Sequence, residues 1–474
     1  MIINREIETF VDSFLIELEE NNAAIFAGAG LSVASGYADW AGLVKDFATE
    51  LKLDINKETD LIALVQYHLN ANAFNRHQLN QKIANEFHHG KTPNENHRIL
   101  ARLPISTYWT TNYDRLIETA LQDEKKKVDV KYFEKHLTTT IHGRKAVVYK
   151  MHGDVEHPDD AILSKDDYEK YYKTHGSFLN ALAGDLVSKT FLFIGFSFTD
   201  PNLEFVLSRI RVTFTTNQRR HYAIFRGIKQ DECKDEDDFM YKKIKQELFI
   251  QDLMRFNVKV LLVNEYPEIT EVLKAIEDKF KRRTIYISGS AYDYNKWDSL
   301  TGEQFISSLS KSLIQSNFKI VSGFGLGVGS FVINGVLEEI YLNKKENIDD
   351  QLLLRPFPQG ERGQEQWPAY RKDMISYAGI SIFIFGNKLK DNNVVLADGV
   401  KKEFEIAKAQ NLLLIPVGAS GSMAKEIYNE VLADFTTFFG SNDHLDSFKA
   451  LGDETASPEQ LIKSILNFIT KIIK

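Results

Sequence analysis

The sequence reads AAIFAGAGLSVASG from Ala23 to Gly36. Its first five residues form a short apolar run typical of a buried strand, and this run ends directly in a glycine turn. Glycines at Gly28 and Gly30 let a backbone approach a pyrophosphate closely, and a helix that starts there has free amides to donate. A tight strand-to-helix turn without a ligand needs the same glycines, so the turn alone leaves both interpretations open.

Similar apolar runs recur along the chain, and most are separated by stretches long enough for a helix. This rhythm predicts an α/β fold with two Rossmann-like domains, each a mostly parallel sheet flanked by helices. The predicted strands are 23–27, 107–110, 146–151, 190–194, 221–225 and 258–263 in the first domain, and 284–287, 319–321, 380–385 and 412–417 in the second.

The boundary between the domains is predicted at the basic cluster Lys281-Arg282-Arg283, which ends an amphipathic stretch over 269–280. The first domain would then span residues 1–283 and the second 284–474. A charged stretch over 230–246 is expected to be an exposed helix or an insertion. Residues 53–97, rich in Asn and His, are expected to form a helical module.

Composition narrows the class of protein. The 58 basic and 66 acidic side chains give a net charge of −8 without a basic stripe, so we expect no nucleic-acid partner. The single cysteine, Cys233, cannot build a disulfide or a cysteine-based zinc site, and the His88-His89 pair lacks partners at ligand spacing, so we expect no metal. Charged residues interrupt the N-terminal stretch, and the apolar runs are too short to cross a bilayer, which predicts no membrane association and a cytoplasmic location.

Polar motifs follow several of the predicted strands. Open α/β sheets bind their ligands at the edge where the carboxyl ends of parallel strands meet, so we expect these motifs to form one site with the glycine turn. The motifs are Ser35-Gly36, Thr110-Thr111-Asn112-Tyr113-Asp114, Met151-His152-Gly153-Asp154 and Gly195-Phe196-Ser197.

In order and approximate spacing these motifs resemble those of the sirtuin family, over roughly residues 23–203. The resemblance implies NAD+ as the substrate, with Asn112 and His152 as catalytic residues and His152 as the general base. It implies NAD binding by Gly28, Ala29, Gly30, Ser32, Asp39, Asp114, Gly195 and Ser197. Taken alone, His152 could be a satisfied histidine at a strand end, and Asn112 could cap a helix that begins near Tyr113. Asp114 could be a charge at the start of that helix.

The chain departs from protein-deacetylating sirtuins in two ways. It lacks their four-cysteine zinc module, and Tyr37-Ala38-Asp39-Trp40-Ala41 follows Gly36 where that family continues Xaa-Pro-Asp-Phe-Arg. These losses weigh against acyl-lysine peptides as substrates more than against NAD binding. Water is then the natural acceptor, and the reaction is hydrolysis of NAD+ to nicotinamide and ADP-ribose. The alternatives are an ADP-ribosyltransferase or deacylase, and a non-catalytic nucleotide sensor.

A second glycine-rich turn reads VSGFGLGVGS over 321–330. Its spacing differs from the dinucleotide fingerprint, but a nest of unhindered amides suits a phosphate. Arg371 before one strand and Glu403 after it resemble the order in the SLOG and cytokinin-activating LOG superfamily, although Gly386-Asn387-Lys388 and a longer loop replace its double glycine. Without that resemblance, Arg371 and Glu403 could equally be a surface ion pair and a solvated helix face. The resemblance implies that a nucleotide signal binds Gly289, Ser290, Gly325, Gly327, Phe357, Arg371, Lys388 and Glu403.

A sirtuin-like domain followed by a SLOG domain resembles the NAD-hydrolysing effectors of the Thoeris anti-phage system. The resemblance implies a partner protein with a TIR domain that makes a cyclic ADP-ribose-type signal. The SLOG domain would bind this signal, and NAD would then be depleted. It also implies a homo-oligomer, commonly a tetramer.

Overall fold

The computed structural model describes residues 5–88, 90–215, 217–343, 351–358 and 360–473, so His89 of the predicted histidine pair lies outside the described residues. The chain separates into two compact units, Met1–Glu277 and Asp278–Lys474. Of the helices in the described ranges, none is long and apolar enough to cross a membrane.

The first unit is built on one sheet of seven parallel strands. The strands are β1 (Ala23–Ala27), β2 (Thr107–Thr110), β3 (Val128–Lys131), β4 (Ala146–Lys150), β5 (Thr190–Ile194), β6 (His221–Arg226) and β7 (Val258–Val263). They lie in the order β3-β4-β2-β1-β5-β6-β7. The helices are Arg5–Glu19, Ala29–Val33, Trp40–Glu50, Leu61–Ala71, His77–Phe87, Glu95–Arg102, Leu116–Asp123, Glu134–Leu137, Lys165–Thr174, Gly176–Ser188, Pro201–Phe214, Glu236–Leu253 and Tyr266–Lys281.

The second unit has a five-stranded parallel sheet and a separate antiparallel hairpin. Its strands are β8 (Thr284–Ser290), β9 (Lys319–Ser322), β10 (Leu352–Leu354), β11 (Ile380–Phe385), β12 (Asn387–Lys390), β13 (Asn393–Leu396) and β14 (Leu413–Pro416). The sheet order is β10-β9-β8-β11-β14, and β12 pairs with β13. The helices are Ser299–Gln315, Gly329–Asn343, Glu361–Glu365, Trp367–Ile375, Asp398–Ala409, Ser422–Ala433, Phe435–Phe439, Leu445–Lys449 and Pro458–Ile472.

The predicted fold class is confirmed, and the apolar runs explain why. β1, β5 and β11 bury every residue, as expected for central strands of a parallel sheet covered by helices on both faces. The exposed helix expected over 230–246 lies at Glu236–Leu253, where only Leu253 is buried.

Apolar runs reveal the edge strands β7 and β14 but not the edge strands β3 and β10. In β3 the two inward positions are Asp129 and Lys131, which form a buried ion pair with 2.8 Å between Oδ1 and Nζ. Charges therefore occupy the positions where a pattern search expects apolar residues. β10 has only three residues, and the region taken as a longer loop after β11 is the β12–β13 hairpin.

The core of the first unit contains a histidine without hydrogen-bond partners. His97 is 2% exposed, and neither ring nitrogen has a partner within the described structure. Its ring lines a small cavity with Ile25, Leu31 and Tyr108. Burial, together with the charge of Arg98, lowers the pKa of His97 to about 3.

We predict that His97→Leu makes the protein less sensitive to acid. The folded-state pKa lies below the unfolded value of about 6.5, so the unfolded chain takes up this proton first and stability falls as pH drops from about 6.5 toward about 3. One such group contributes a slope of about 1.4 kcal/mol per pH unit in that window, and leucine contributes none. Urea unfolding between about pH 7 and about pH 4.5 should therefore show a shallower loss of unfolding free energy in the variant.

The matched control is the exposed His142→Leu, whose pH dependence should equal that of the wild type. Equal slopes for His97→Leu and the wild type would show that folding does not lower the pKa of His97.

Candidate functional site

The glycine turn after β1 packs directly against the turn after β5. Gly28 N–H donates to Ile194 O at 3.0 Å, and Gly30 N–H donates to Gly195 O at 2.9 Å. Gly195 has φ +62°, and a Cβ there would lie 2.2 Å from Leu31 N. The connections of the sheet diverge between β1 and β5, which is where open α/β sheets form their ligand crevice. The Gly30 amide, expected to be free for a phosphate, is instead used to join the two turns.

Asn112 lies just past β2 and is held by the β1 turn. Its amide nitrogen Nδ2 donates to Gly28 O at 3.0 Å and to Ser32 Oγ at 3.1 Å. Ser32 in turn donates to Asp114 Oδ2 at 2.8 Å. Because a backbone carbonyl only accepts, these contacts fix which end of the amide is Nδ2, and Oδ1 has no partner in the described ranges. Asn112 therefore presents an acceptor oxygen at the carboxyl edge of the sheet.

The helix after these residues shows whether Asn112 is a helix cap and whether Asp114 lies at a helix start. That helix begins at Leu116 and takes Arg115 as its N-cap, so Asn112 does not cap it. Asp114 accepts from Leu116 N at 2.9 Å with one oxygen and from Ser32 with the other. Burial raises the pKa of Asp114 above its ordinary value.

His152 follows β4, the neighbour of β2, and is 4% exposed. Its Nε2 lies 2.9 Å from Asp200 Oδ2 and 3.4 Å from the hydroxyl of Tyr168. Sequence reasoning missed both partners. The available signal was Asp200-Pro201, which begins three residues after Ser197 of the Gly-Xaa-Ser motif, but this pattern is also that of an ordinary helix start.

A buried lysine ties the two strand ends together. Lys150 is fully buried, and its Nζ contacts Asp154 at 2.6 Å, Glu118 at 3.1 Å and Tyr113 O at 3.0 Å. Burial alone would lower the pKa of Lys150, but the surrounding carboxylates raise it above its ordinary value. The ammonium thus links the segment that carries Asn112 to the strand that leads to His152.

The remaining residues of the first predicted site have local roles in the fold. Asp39 is exposed and caps the helix Trp40–Glu50, accepting from Gly42 N at 2.8 Å. Ser197 is exposed, with its hydroxyl 2.8 Å from that of Thr199. Ala29 is the first residue of the helix Ala29–Val33.

In the second unit, Arg371 and Glu403 meet beside β8. Arg371 Nε lies 3.4 Å from Glu403 Oε1, and Ser288 Oγ donates to Glu403 Oε2 at 2.6 Å. The guanidinium also lies over the rings of Phe357 and Trp367, at 4.9 and 5.5 Å from their centroids. Both charged side chains are buried, so they are neither a surface pair nor a solvated helix face. Burial raises the pKa of Glu403.

The predicted glycines of the second unit form another contact between turns. A Cβ at Gly325 would lie 2.0 Å from Gly289 O, and Gly327, with φ +70°, would place one 1.9 Å from Ala291 O. Ser290 donates its hydroxyl to Asn387 O at 3.0 Å. Among the described residues, Lys388 forms an ion pair with Asp398 and has no ion pair with Glu403.

Comparison with known proteins covers both units. Residues 106–251 match the SIR2-like domain, and residues 268–472 match the Sir2- and TIR-associating SLOG family. The chain is 54% identical over 471 residues to the NAD(+) hydrolase ThsA of Bacillus cereus (strain MSX-D12), covering 99% of each chain. The chain belongs to the ThsA family of NAD+ hydrolases. A second ThsA relative, from Acinetobacter baumannii (strain 532279), is 46% identical over 99% of this chain and 100% of its own.

In this ThsA-family chain, the described residues contain no group of three or more His, Cys, Asp or Glu side chains that could hold a metal ion. Cys233, the single cysteine, is partly buried and donates to Lys229 O at 3.1 Å. Within each candidate site, the side chains interact with one another, with backbone and, in the second unit, with aromatic rings.

The packing of the β1 and β5 turns predicts that Gly195→Ala strongly destabilises the first unit. The new methyl group meets backbone atoms, and the residue must keep a positive φ, so we expect the unfolding free energy to fall by about 3 kcal/mol. Thermal and urea unfolding measure this change.

Gly184→Ala is the matched control, because a Cβ at this position of the helix Gly176–Ser188 meets nothing within 4 Å. It should leave stability unchanged or raise it by up to about 1 kcal/mol. If the two alanine variants were equally stable, the close contact of the turns would be refuted.

Proposed function

We propose that the first unit hydrolyses NAD+ to nicotinamide and ADP-ribose, with Asn112 and His152 as the catalytic residues. The observation that carries the proposal is their position at the ends of adjacent parallel strands, β2 and β4, with Asn112 fixed by two hydrogen bonds. The ThsA family to which the chain belongs supports the same reaction.

The reaction requires two functions of these side chains. Breaking the bond from nicotinamide to ribose develops positive charge on the ribose, and a water oxygen then forms the new bond at that carbon. The acceptor oxygen of Asn112 can hold a ribose hydroxyl or the water in line with this carbon. His152 can take the proton that the water loses, since a neutral imidazole has one ring nitrogen with a free lone pair. Gly28, Ala29, Gly30, Ser32, Asp39, Asp114, Gly195 and Ser197 are the residues we propose for NAD binding.

We further infer that the second unit binds a cyclic ADP-ribose-type signal that activates hydrolysis. Arg371 can hold a phosphate, Glu403 can accept from ribose hydroxyls, and Phe357 can stack on a base. The buried Arg371–Glu403 contact of 3.4 Å supports this role, because among the described residues it engages only Nε and leaves the other guanidinium nitrogens to donate to a phosphate. The remaining contacts would come from Gly289, Ser290, Gly325, Gly327 and Lys388. Activation requires the signal to bind the active state more tightly than the resting state.

The same family supports a setting for the reaction. A partner protein with a TIR domain would make the signal after phage infection, and depletion of NAD in the cytoplasm would then stop phage propagation. The resemblance also supports a homotetramer of the 54.3 kDa chain.

The first test is release of nicotinamide from NAD+ by the purified protein, with and without cyclic ADP-ribose isomers. We expect activator-dependent release, and we expect His152→Ala to slow it by about a hundredfold or more through loss of the base. The exposed His77→Ala is the control and should match the wild type. An unaltered rate in His152→Ala would refute the assignment of the base, and no release under any condition would favour the sensor.

The second test separates signal binding from catalysis. Arg371→Ala should need roughly tenfold or more activator for half-maximal rate, because it removes a charged donor from a buried site. The maximal rate at saturating activator should stay near that of the wild type. Lys311→Ala, which breaks an exposed pair with Glu338, is the control and should keep the wild-type activation curve. An unshifted curve for Arg371→Ala would contradict the proposed signal site.

A further inference from the structure

The carboxylate of Asp200, which lies outside the sequence motifs, is next to His152. Asp200 Oδ2 lies 2.9 Å from His152 Nε2, and the Tyr168 hydroxyl donates to the same oxygen at 3.1 Å. The Tyr168 ring also meets the imidazole edge to face, with 5.5 Å between centroids and 82° between planes. His152 is therefore held from two sides, by the helices that begin at Lys165 and Pro201.

Asp200 caps a helix with one carboxylate oxygen and faces His152 with the other. Its Oδ1 accepts from Asn202 N and Leu203 N, each at 3.0 Å, and this completes an ordinary N-cap. Oδ2 is not needed for the cap, yet it accepts from Tyr168 and faces His152. Among the described residues, four other aspartates cap α-helices with their side chains and all are exposed, whereas Asp200 is 8% exposed: Asp39, Asp60, Asp235 and Asp298. A buried carboxylate costs desolvation, which the contact with His152 offsets.

We propose that Asp200 is a positioning residue that holds His152 with its proton on Nε2 and its lone pair on Nδ1. The proposal rests on the hydrolysis proposed above. An ionised carboxylate only accepts, so the imidazole nitrogen beside it has to carry hydrogen. Nδ1 has no hydrogen-bond partner among the described residues, and it is the nitrogen that takes the proton from the attacking water. Asp200 then faces the imidazolium that this transfer creates and stabilises it.

The ionised state of Asp200 agrees with its surroundings. Burial alone would raise the pKa of this carboxyl group, but the adjacent His152 imidazole, the Leu203 amide and the Tyr168 hydroxyl hold it below its ordinary value. The Tyr168 hydrogen bond also fixes the rotation of the carboxylate, so that Oδ2 stays directed at the imidazole.

The decisive variant is Asp200→Asn, which keeps the size of the side chain and an oxygen to cap the helix. Its NH2 group would donate to Nε2 and force the imidazole proton onto Nδ1. We expect kcat for nicotinamide release to fall by about a hundredfold or more while KM changes by less than about threefold. Asp235→Asn, at an exposed cap of the same unit, is the matched control and should leave both constants unchanged.

A second measurement determines which ring nitrogen of His152 carries the proton. In the wild type, imidazole 15N NMR should show His152 protonated on Nε2, and in Asp200→Asn on Nδ1, with the signal assigned by its loss in His152→Ala. Wild-type kcat or an unchanged tautomer in Asp200→Asn would overturn the proposal.

If Asp200→Asn does not fold, Tyr168→Phe tests the same geometry, and we expect a fall in kcat of roughly tenfold without a change in KM. An unchanged kcat would again overturn the proposal. The wild type is measured first, so that failure of hydrolysis is seen separately. If the wild type released no nicotinamide, the proposed function would fall, and the tautomer would still decide whether Asp200 sets the proton of His152.

Discussion

The hydrogen bond from Gly30 N–H to Gly195 O joins two backbone turns that leave no room for a side chain between them. It fixes the start of the helix Ala29–Val33 and therefore the position of Ser32, which receives Asn112. The same β5 turn leads to Asp200, which faces His152. One backbone contact thus sets both supports of the two proposed catalytic side chains.

The second unit also packs two glycine turns backbone to backbone, but different side chains surround them. Its strand order also diverges between neighbours, at β8 and β11, and Gly289 and Gly325 again touch backbone to backbone. No imidazole follows these strands in the described site. Instead, a buried arginine lies between aromatic rings and a carboxylate, an arrangement suited to recognising a nucleotide. The proposed division into a unit for chemistry and a unit for sensing therefore rests on the side chains rather than on the sheets.

The central strands could be predicted from the sequence because they are buried on both faces, so that nearly every residue is apolar. β1, β2, β5 and β11 have the predicted bounds, as does the edge strand β7. The edge strand β3 could not be predicted, because Asp129 and Lys131 neutralise each other in its inward positions. The hydrogen bond from the Gly30 amide to Gly195 O could not be predicted either, because it depends on how closely the turn after β5 approaches the turn after β1.

The candidate site was predictable only where residues follow strands directly. Asn112 and His152 do so, and the strands that they follow, β2 and β4, are neighbours in the sheet. Asp200 lies past a turn at a helix start, where its sequence pattern is that of any capping aspartate, and only its burial and its distance to His152 distinguish it.

The most direct test of the account is the fate of the ADP-ribose half of NAD+ when water is the acceptor. Activated protein would be given NAD+ labelled in the adenine, and free, cyclic and protein-bound label would be quantified beside nicotinamide. If water is the acceptor, one free ADP-ribose is formed for each nicotinamide released. Label on protein, or a cyclic product in place of ADP-ribose, would contradict it.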